Sequence, residues 1–545
     1  MRYLCFRIVN IVLVLIALFD LSAMQRRDPI LIYNQFPRVW SMDFKAMASY
    51  LPKIASMGFN VVWVNPFFKT SNKVKVKRVD EGKGTPVIAS NSLYAMYDPS
   101  LIYSENLQSS TGNPLGNPET AEKVNAFVRQ YTDAARSNGL VPIFDLVLNH
   151  VAKDSPLVTG SFCYFLKLGI DTSRWFKKSS ERWDDVRVFN YDTEENRSEI
   201  FEQLWRPLIV RAITKFGFEG VRIDYGTDVN QFVLKRCIDL IRRLKTDAPI
   251  ITFGEALIPV EKPKDAVLEA CRDTGFTNLT NLAIFLTQPQ IRDGKEKYEW
   301  FLSDLGKKKL VSSGYPSRFW NGTIGFSGSH DHGTTLQAVV RSSILQREIE
   351  EYDIDFENIP GEFSDNDKLL EKIIRGKIVD EKLSSIESSE KLRLAKERMA
   401  ISAFSSDAGW YFMVGDEILS TITKRPFVRA ESGGHFGGDT DNMVSFDLAS
   451  PLPIFIKNIN ETFKHLREAP DKFWVEMFYL DKERNGMCFV RHLPEHNLPV
   501  DVVIVNLNPD HYSIVNIEDI KSFLRAQKAE VDVEQLGTEN FYFIN

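Results

Sequence analysis

Short apolar runs alternate with longer amphipathic stretches along most of the chain. Strand-like runs fall at Leu31 to Tyr33, Asn60 to Val64, Val141 to Val147, Gly220 to Asp224, Ile250 to Phe253, Phe276 to Thr280, Thr323 to Phe326 and Trp410 to Val414. Between them, Ala46 to Met57, Ala121 to Ser137, Glu194 to Phe216 and Gln231 to Lys245 repeat apolar residues at i, i+3, i+4 and i+7, the period of a helix with one buried face. This alternation is the pattern of βα units on a parallel sheet. Eight strands with intervening helices are what an α/β protein of the (β/α)8 barrel type needs, although periodicity alone leaves a doubly wound open sheet in play.

Three long excursions break the rhythm. Ser71 to Asn117 follows the second strand, and Val151 to Asp192 follows the third. The third, Gln346 to Arg398, is densely charged and precedes the eighth strand; its helical spacing reads as a solvated helical elaboration, a surface helix or a lid. An eighth helix is expected near Leu452 to Leu466. After it FWVEMFYL, MCFVRHL and VDVVIVNLN read as strands of a small antiparallel β domain. The expected division is a leader over 1–27, a barrel over 28–150 and 193–467, an insertion over 151–192 after strand three, and a C-terminal β domain over 468–545.

Composition changes the picture mainly by exclusion. With 43% hydrophobic, 26% charged and 12% aromatic residues, the 545-residue chain is globular rather than disordered or fibrous. Lys and Arg number 67 against 73 Asp and Glu, a formal net charge of -6, so no basic surplus exists to neutralise phosphates and no nucleic-acid partner is expected. Five cysteines, without a CxxC pair or a Cys/His cluster, suggest neither a zinc site nor a disulfide framework. The N-terminus places Arg2 and Arg7 before an apolar run from Ile8 to Phe19, the shape of a signal segment and too short for a transmembrane helix. A secreted or periplasmic chain is the favoured expectation. A membrane would enter only through an uncleaved leader, and translation from Met24 would give a cytoplasmic protein.

In a parallel barrel the chemistry belongs at the C-terminal ends of the strands. Strand three ends in DLVLNH, with Asp145, Asn149 and His150. Strand four ends in GVRID, with Arg222 and Asp224, and strand five in FGEAL, with Glu255. His330 and Asp331 follow strand seven in FSGSHDHG. Any one of these charges has a structural reading as a satisfied ion pair. Four strand ends carrying such groups together point to a site, because each buried charge is costly unless it is used or paired.

The ordered segments DLVLNH, GVRID, GEAL and SHD resemble the four short signature regions of the α-amylase superfamily of glycoside hydrolases. NVVWVNP at Asn60 to Pro66, SLYAMYDP at Ser92 to Pro99, VFNYDTEENR near Asn190 and GWYFMVGDEI at Gly409 to Ile418 extend the resemblance over about Asp28 to Leu466. The resemblance implies a retaining double displacement, in which an ionised carboxylate attacks the anomeric carbon and a protonated one serves the leaving oxygen. By the same resemblance Asp224 is the nucleophile, Glu255 the general acid/base and Asp331 a third carboxylate on the sugar hydroxyls. Arg222, two residues before Asp224, shares its side of the strand and would keep it ionised. Glu255 would need a raised pKa. His150 and His330 are implied as hydroxyl-binding residues and Tyr94 as an aromatic platform.

The departures bear on substrate and cofactor. Tyr225, Gly226, Thr227 and Asp228 stand where many family members place small residues and then a Lys-His pair, so acceptor binding must differ. Asn149 matches a calcium ligand of the family, but Val188 stands where a carboxylate often does. No cofactor is expected to be required, and Ca2+ is left as an open alternative. Gly433 to Asn442 reads equally as a cleft border or a flexible connection. Asn196, Asn278, Asn321 and Asn460 begin N-x-[ST] triplets, which are frequent by chance. The implied activity is hydrolysis of α-1,4-glucan or malto-oligosaccharides. Glucanotransferase or maltosyltransferase action on the same residues, and a catalytically silent carbohydrate-binding protein, are the alternatives.

Overall fold

A computed structural model of the chain describes residues 29–37, 43–70, 75–76, 88–89, 93–102, 118–177, 186–226, 229–245, 250–255, 276–280, 310–311, 323–329, 334–343, 378–379, 381–406, 408–419, 447–466, 474–481, 483, 485–493, 498–508, 516–527, 529 and 531–544. The leader, His330, Asp331, the segment 346–377 and the glycine-rich stretch 433–442 lie outside the described residues.

Eight parallel strands close into a barrel: β1 (Ile30–Gln35), β2 (Val61–Val64), β3 (Val141–Leu146), β4 (Gly220–Ile223), β5 (Ile251–Gly254), β6 (Asn278–Thr280), β7 (Thr323–Phe326) and β8 (Gly409–Met413). The seam is made by β1, which pairs with β2 from Ile32↔Val61 to Gln35↔Val64 and with β8 from Ile30↔Gly409 to Asn34↔Met413. That pairing excludes the doubly wound sheet. Among the described side chains the strands are buried on both faces, which is why the sequence shows continuous apolar runs rather than alternation. One set of alternate residues, including Ile32, Val61, Trp63, Ile143, Phe253, Ile324, Phe326 and Tyr411, fills the barrel interior. The other set, including Leu31, Tyr33, Val62, Val64, Phe144, Val221, Ile223, Trp410 and Phe412, packs against the outer helices.

Those helices are α1 (Phe44–Ser56), α2 (Pro118–Ser137), α3 (Glu194–Ile200, continued through π-helical turns to Phe216), α4 (Gln231–Leu244), α5 (Thr335–Ser343), α6 (Ser388–Phe404) and α7 (Pro451–His465). Their starts follow from capping chemistry. The side chains of Asp43, Thr193 and Asn230 accept the first free backbone N–H groups of α1, α3 and α4. Among the described residues no helix is long and apolar enough to cross a membrane.

Two excursions are tied down beside the barrel mouth. After β2, Phe68–Thr70 pairs antiparallel with Met96–Ile102, which fixes the loop bearing Tyr94. After β3, His150–Ala152 pairs antiparallel with Val186–Val188, so His150 faces Val188 across a two-stranded ladder.

The expectation of a solvated charged elaboration fails for its C-terminal part. In α6 every residue from Leu394 to Phe404 is buried, Lys396, Glu397 and Arg398 included. The charges survive burial because each is compensated where α6 runs between barrel and C-terminal sheet. Lys396 lies over the Phe455 ring at 5.1 Å, Glu397 pairs with Arg393 at 2.8 Å and accepts from the Tyr479 hydroxyl, and Arg398 Nε donates to the Ser327 carbonyl at 2.6 Å.

In the C-terminal sheet β9 (Trp474–Tyr479), β10 (Gly486–Leu493) and β11 (Leu498–Asn506) form the expected antiparallel meander. A fourth strand, β12 (Phe541–Ile544), joins β11 in parallel after the crossover helix α8 (Ile517–Gln527), and Leu310–Val311 adds the opposite edge from the segment between β6 and β7. One sheet face, with Val475, Met477, Phe489, Val503 and Val505, belongs to the main core; the other, with Cys488, Val490, Val502 and Ile504, is covered by Ile520 and Leu524 of α8.

Candidate active site

At the C-terminal ends of β3, β4 and β5 the inward-pointing positions change from apolar to charged. Asp145, Arg222 and Asp224 continue the interior rows of β3 and β4, and Glu255 follows the last residue of β5. Arg222 is the hub. Its side chain is 2% exposed, and Nη1 stands 2.7 Å from Asp224 Oδ1 and 3.1 Å from each Asp145 oxygen, while Nη2 stands 2.9 Å from Glu255 Oε2. One guanidinium thus serves three carboxylates, with its fork matched to two of them at once.

A second layer from β1, β2 and the loop after β2 braces the hub. Trp63 Nε1 donates to Asp145 Oδ2 at 3.2 Å and the Tyr94 hydroxyl donates to the same oxygen at 2.7 Å. Asn65 Nδ2 donates to the Tyr94 hydroxyl at 2.8 Å, and Asn34 Nδ2 donates to Asn65 Oδ1 at 2.6 Å and to the Trp63 carbonyl at 3.1 Å. The Arg222 guanidinium also lies over the Trp63 and Tyr94 rings, at 5.1 and 5.8 Å.

The electrostatics follow from burial around an unbalanced charge set. Burial pushes the Asp145 carboxyl up, to about 7, against the lowering influence of Arg222 and the Tyr94 hydrogen bond. Burial, then the Asp145 charge, holds the Tyr94 hydroxyl protonated well above the usual phenol range. The surrounding carboxylates, led by Asp145, outweigh burial and hold Arg222 charged.

The turn after Asp224 is tight. Asp224 N donates to the Leu146 carbonyl at 3.1 Å, and Glu255 N to the Ile223 carbonyl at 3.1 Å, so parallel ladder bonds fix both backbones. Tyr225 then adopts φ 54°, the left-handed region, and its N–H donates to Glu255 Oε2 at 3.0 Å.

Of the residues expected from sequence, Arg222, Asp224, Glu255 and Tyr94 come together in this network. His150 is buried at the start of the ladder after β3, with Asn149 Nδ2 3.4 Å from its Nδ1. Asp331 and His330 fall outside the described residues. Asp145, one of the strand-end groups, turns out to be the buried carboxylate behind Arg222, as a lone charge in the apolar run VPIFDL signals; Trp63, Asn65 and Asn34 join the network with no such signal in the sequence. Buried Asn196, Asn278 and Asn460 are poor positions for a glycan.

The Asn149 carbonyl accepts from Phe189 N at 3.0 Å, Val188 brings no side-chain oxygen, and among the described residues no group of three His, Cys, Asp or Glu side chains is arranged to hold a metal ion, the three carboxylates on Arg222 included.

The chain is similar in structure to α-amylases. An α-amylase from Lactobacillus plantarum matches at 16% identity and TM-score 0.48 over 86% of each chain. A cyclic α-maltosyl-(1→6)-maltose hydrolase from Arthrobacter globiformis matches at 14% identity and TM-score 0.49, over 88% of this chain and 97% of that one. A noncanonic maltogenic α-amylase from Thermotoga neapolitana matches at 13% identity and TM-score 0.46 over 86% of each. No protein-family model and no curated protein matches the chain. At these identities the likeness is one of form, and the chemistry has to come from the chain's own residues.

Proposed function

We propose that the chain is a retaining glycoside hydrolase acting on α-1,4-glucosidic bonds of glucans or malto-oligosaccharides. The observation that carries the reading is the pair Asp224 and Glu255, at the ends of adjacent strands and both held by Arg222. Sharing one guanidinium is compatible with the separation of about 5 to 5.5 Å that a retaining pair requires. Asp224, held by Arg222 at 2.7 Å, is suited to attack the anomeric carbon. Glu255, whose side chain is 21% exposed at the mouth, is placed to exchange a proton with a bound substrate and then with water. Tyr94 and Asp145 act through Arg222: the guanidinium lies over the Tyr94 ring and its Nη1 donates to Asp145, and these contacts fix where it meets the reacting pair. Asp331 and His330, implied by the sequence resemblance, would complete the sugar site from the segment after β7.

The test is incubation of the chain from Met24 onward with maltoheptaose, beside Asp224→Asn, with products resolved by size and their anomeric protons followed by NMR. Shorter products that appear first as the α-anomer, and vanish in the variant, are expected. Products longer than the substrate would make the enzyme a transglycosylase on the same residues. Initial β-anomer, or turnover that survives Asp224→Asn, would overturn the proposal.

A further inference from the structure

Tyr225 is a large side chain in a backbone region that favours glycine, one residue beyond Asp224. Such a conformation persists only when its surroundings dictate it, and it gathers where a backbone group must be aimed. Here the aimed group is the Tyr225 N–H, which reaches Glu255 Oε2 at 3.0 Å, the same oxygen that Arg222 Nη2 meets at 2.9 Å. Gly226 shows what holds the turn. A Cβ there would stand 3.1 Å from the Phe276 ring, 3.2 Å from Gly254 Cα and 3.4 Å from Glu255 N, so the turn is pressed against the end of β5.

We infer that Tyr225 is the positioning residue of the acid/base Glu255, its left-handed backbone aiming the N–H at Oε2 beside Arg222 Nη2. The inference rests on the catalytic reading above. Two donors converge on Oε2, and both stabilise the carboxylate form of Glu255. In the first half-reaction the Glu255 proton passes to the glycosidic oxygen as its bond to C1 breaks and an Asp224 oxygen bonds to C1. In the second, Glu255 takes a proton from water as the water oxygen bonds to C1 and Asp224 leaves as carboxylate. Atoms and charge balance with water as the only co-reactant. Charged groups around Glu255 include Arg222 in direct contact, with Asp224 and Asp145 on the other guanidinium nitrogen.

The deciding experiment replaces Tyr225 in the full chain by its α-hydroxy analogue, which turns the N–H into an ester oxygen and leaves the side chain in place. Loss of one donor to the carboxylate should raise the alkaline limb of the kcat/KM profile for maltoheptaose by about one pH unit, with KM within about twofold. Tyr225→Gly keeps the N–H and tolerates positive φ, so its limb should match the parent. A limb unmoved in the ester chain, or moved as far by Tyr225→Gly, would overturn the inference. A second readout does not need turnover: the δ-carbon of Glu255, observed by carbon NMR and assigned with Glu255→Gln, should titrate about one unit higher in the ester chain. If the parent cleaves no α-glucan, the catalytic reading fails while this titration still decides whether the Tyr225 N–H acts on Glu255.

Discussion

Replacing Arg222 by Met keeps much of the side-chain volume and removes the positive charge that Asp145, Asp224 and Glu255 share. With Arg222 at 2% exposure and Asp145 at 1%, water cannot step in as the compensating partner. A single charge pair at about 4 Å is worth roughly 4 kcal/mol at the effective dielectric of such sites, and three carboxylates lose that partner together. Because desolvation offsets much of the gross attraction, the net expected loss is about 3 to 5 kcal/mol near neutral pH, the usual cost of leaving a buried charge unpaired. Its pH dependence has a definite sign. Asp145 is raised to about 7 by burial even with Arg222 opposing, so removing Arg222 raises it further. A carboxyl raised in the folded state weakens stability as pH climbs from its unfolded value through its folded one, so the deficit of Arg222→Met should be larger at pH 8.5 than at pH 5. Urea unfolding of parent, Arg222→Met and Arg222→Lys at both pH values measures it. Lys, keeping charge but not the fork, should recover most of the stability while glucan hydrolysis stays roughly 10²- to 10⁴-fold below the parent. An Arg222→Met chain as stable as the parent at pH 8.5, or a deficit that does not change with pH, would refute the charge-balance reasoning.

Two further outcomes test the frame around the site. Gly409→Ala places a Cβ 1.9 Å from the Ile30 carbonyl oxygen at φ 153°, on the seam where β8 meets β1, and should cost more than about 3 kcal/mol in urea unfolding; a loss below about 1 kcal/mol would mean the seam yields easily. Burial pushes both Asp416 and Glu417, after β8, up to about 7, so the folded chain should lose stability as pH rises from about 4 to 7, by up to about 3 kcal/mol for Glu417 alone. Glu417→Gln should flatten that slope in urea midpoints taken at pH 5.5, 7 and 8.5, and a parent more stable at pH 8.5 than at 5.5 would contradict it.

Much of the architecture is written in local sequence. Runs such as VVWV and GVRI are apolar on both faces, which suits strands enclosed on both sides, and the helical period between them supplies the outer layer. The positions of Arg222, Asp224 and Glu255 at strand ends are equally local, since a period of two fixes which residues of a strand share a face. What local pattern cannot contain is a pairing between distant segments. Parallel strands read alike in an open sheet and a closed one, and only the ladder from Ile30 to Gly409 makes this a barrel. For the same reason the charged residues Lys396, Glu397 and Arg398 read as solvated, although Phe455, Arg393, Tyr479 and Ser327, most of them far along the chain, make their burial tolerable. Asp145 was visible as a carboxylate in an apolar strand, but its donors Trp63, Tyr94 and Arg222 come from three other parts of the chain. The sequence by itself determined which residue types stand at the strand ends; the tertiary structure decided that three carboxylates share one guanidinium, because only the parallel pairing of β2, β3, β4 and β5 as neighbours, in register, brings their C-terminal ends side by side.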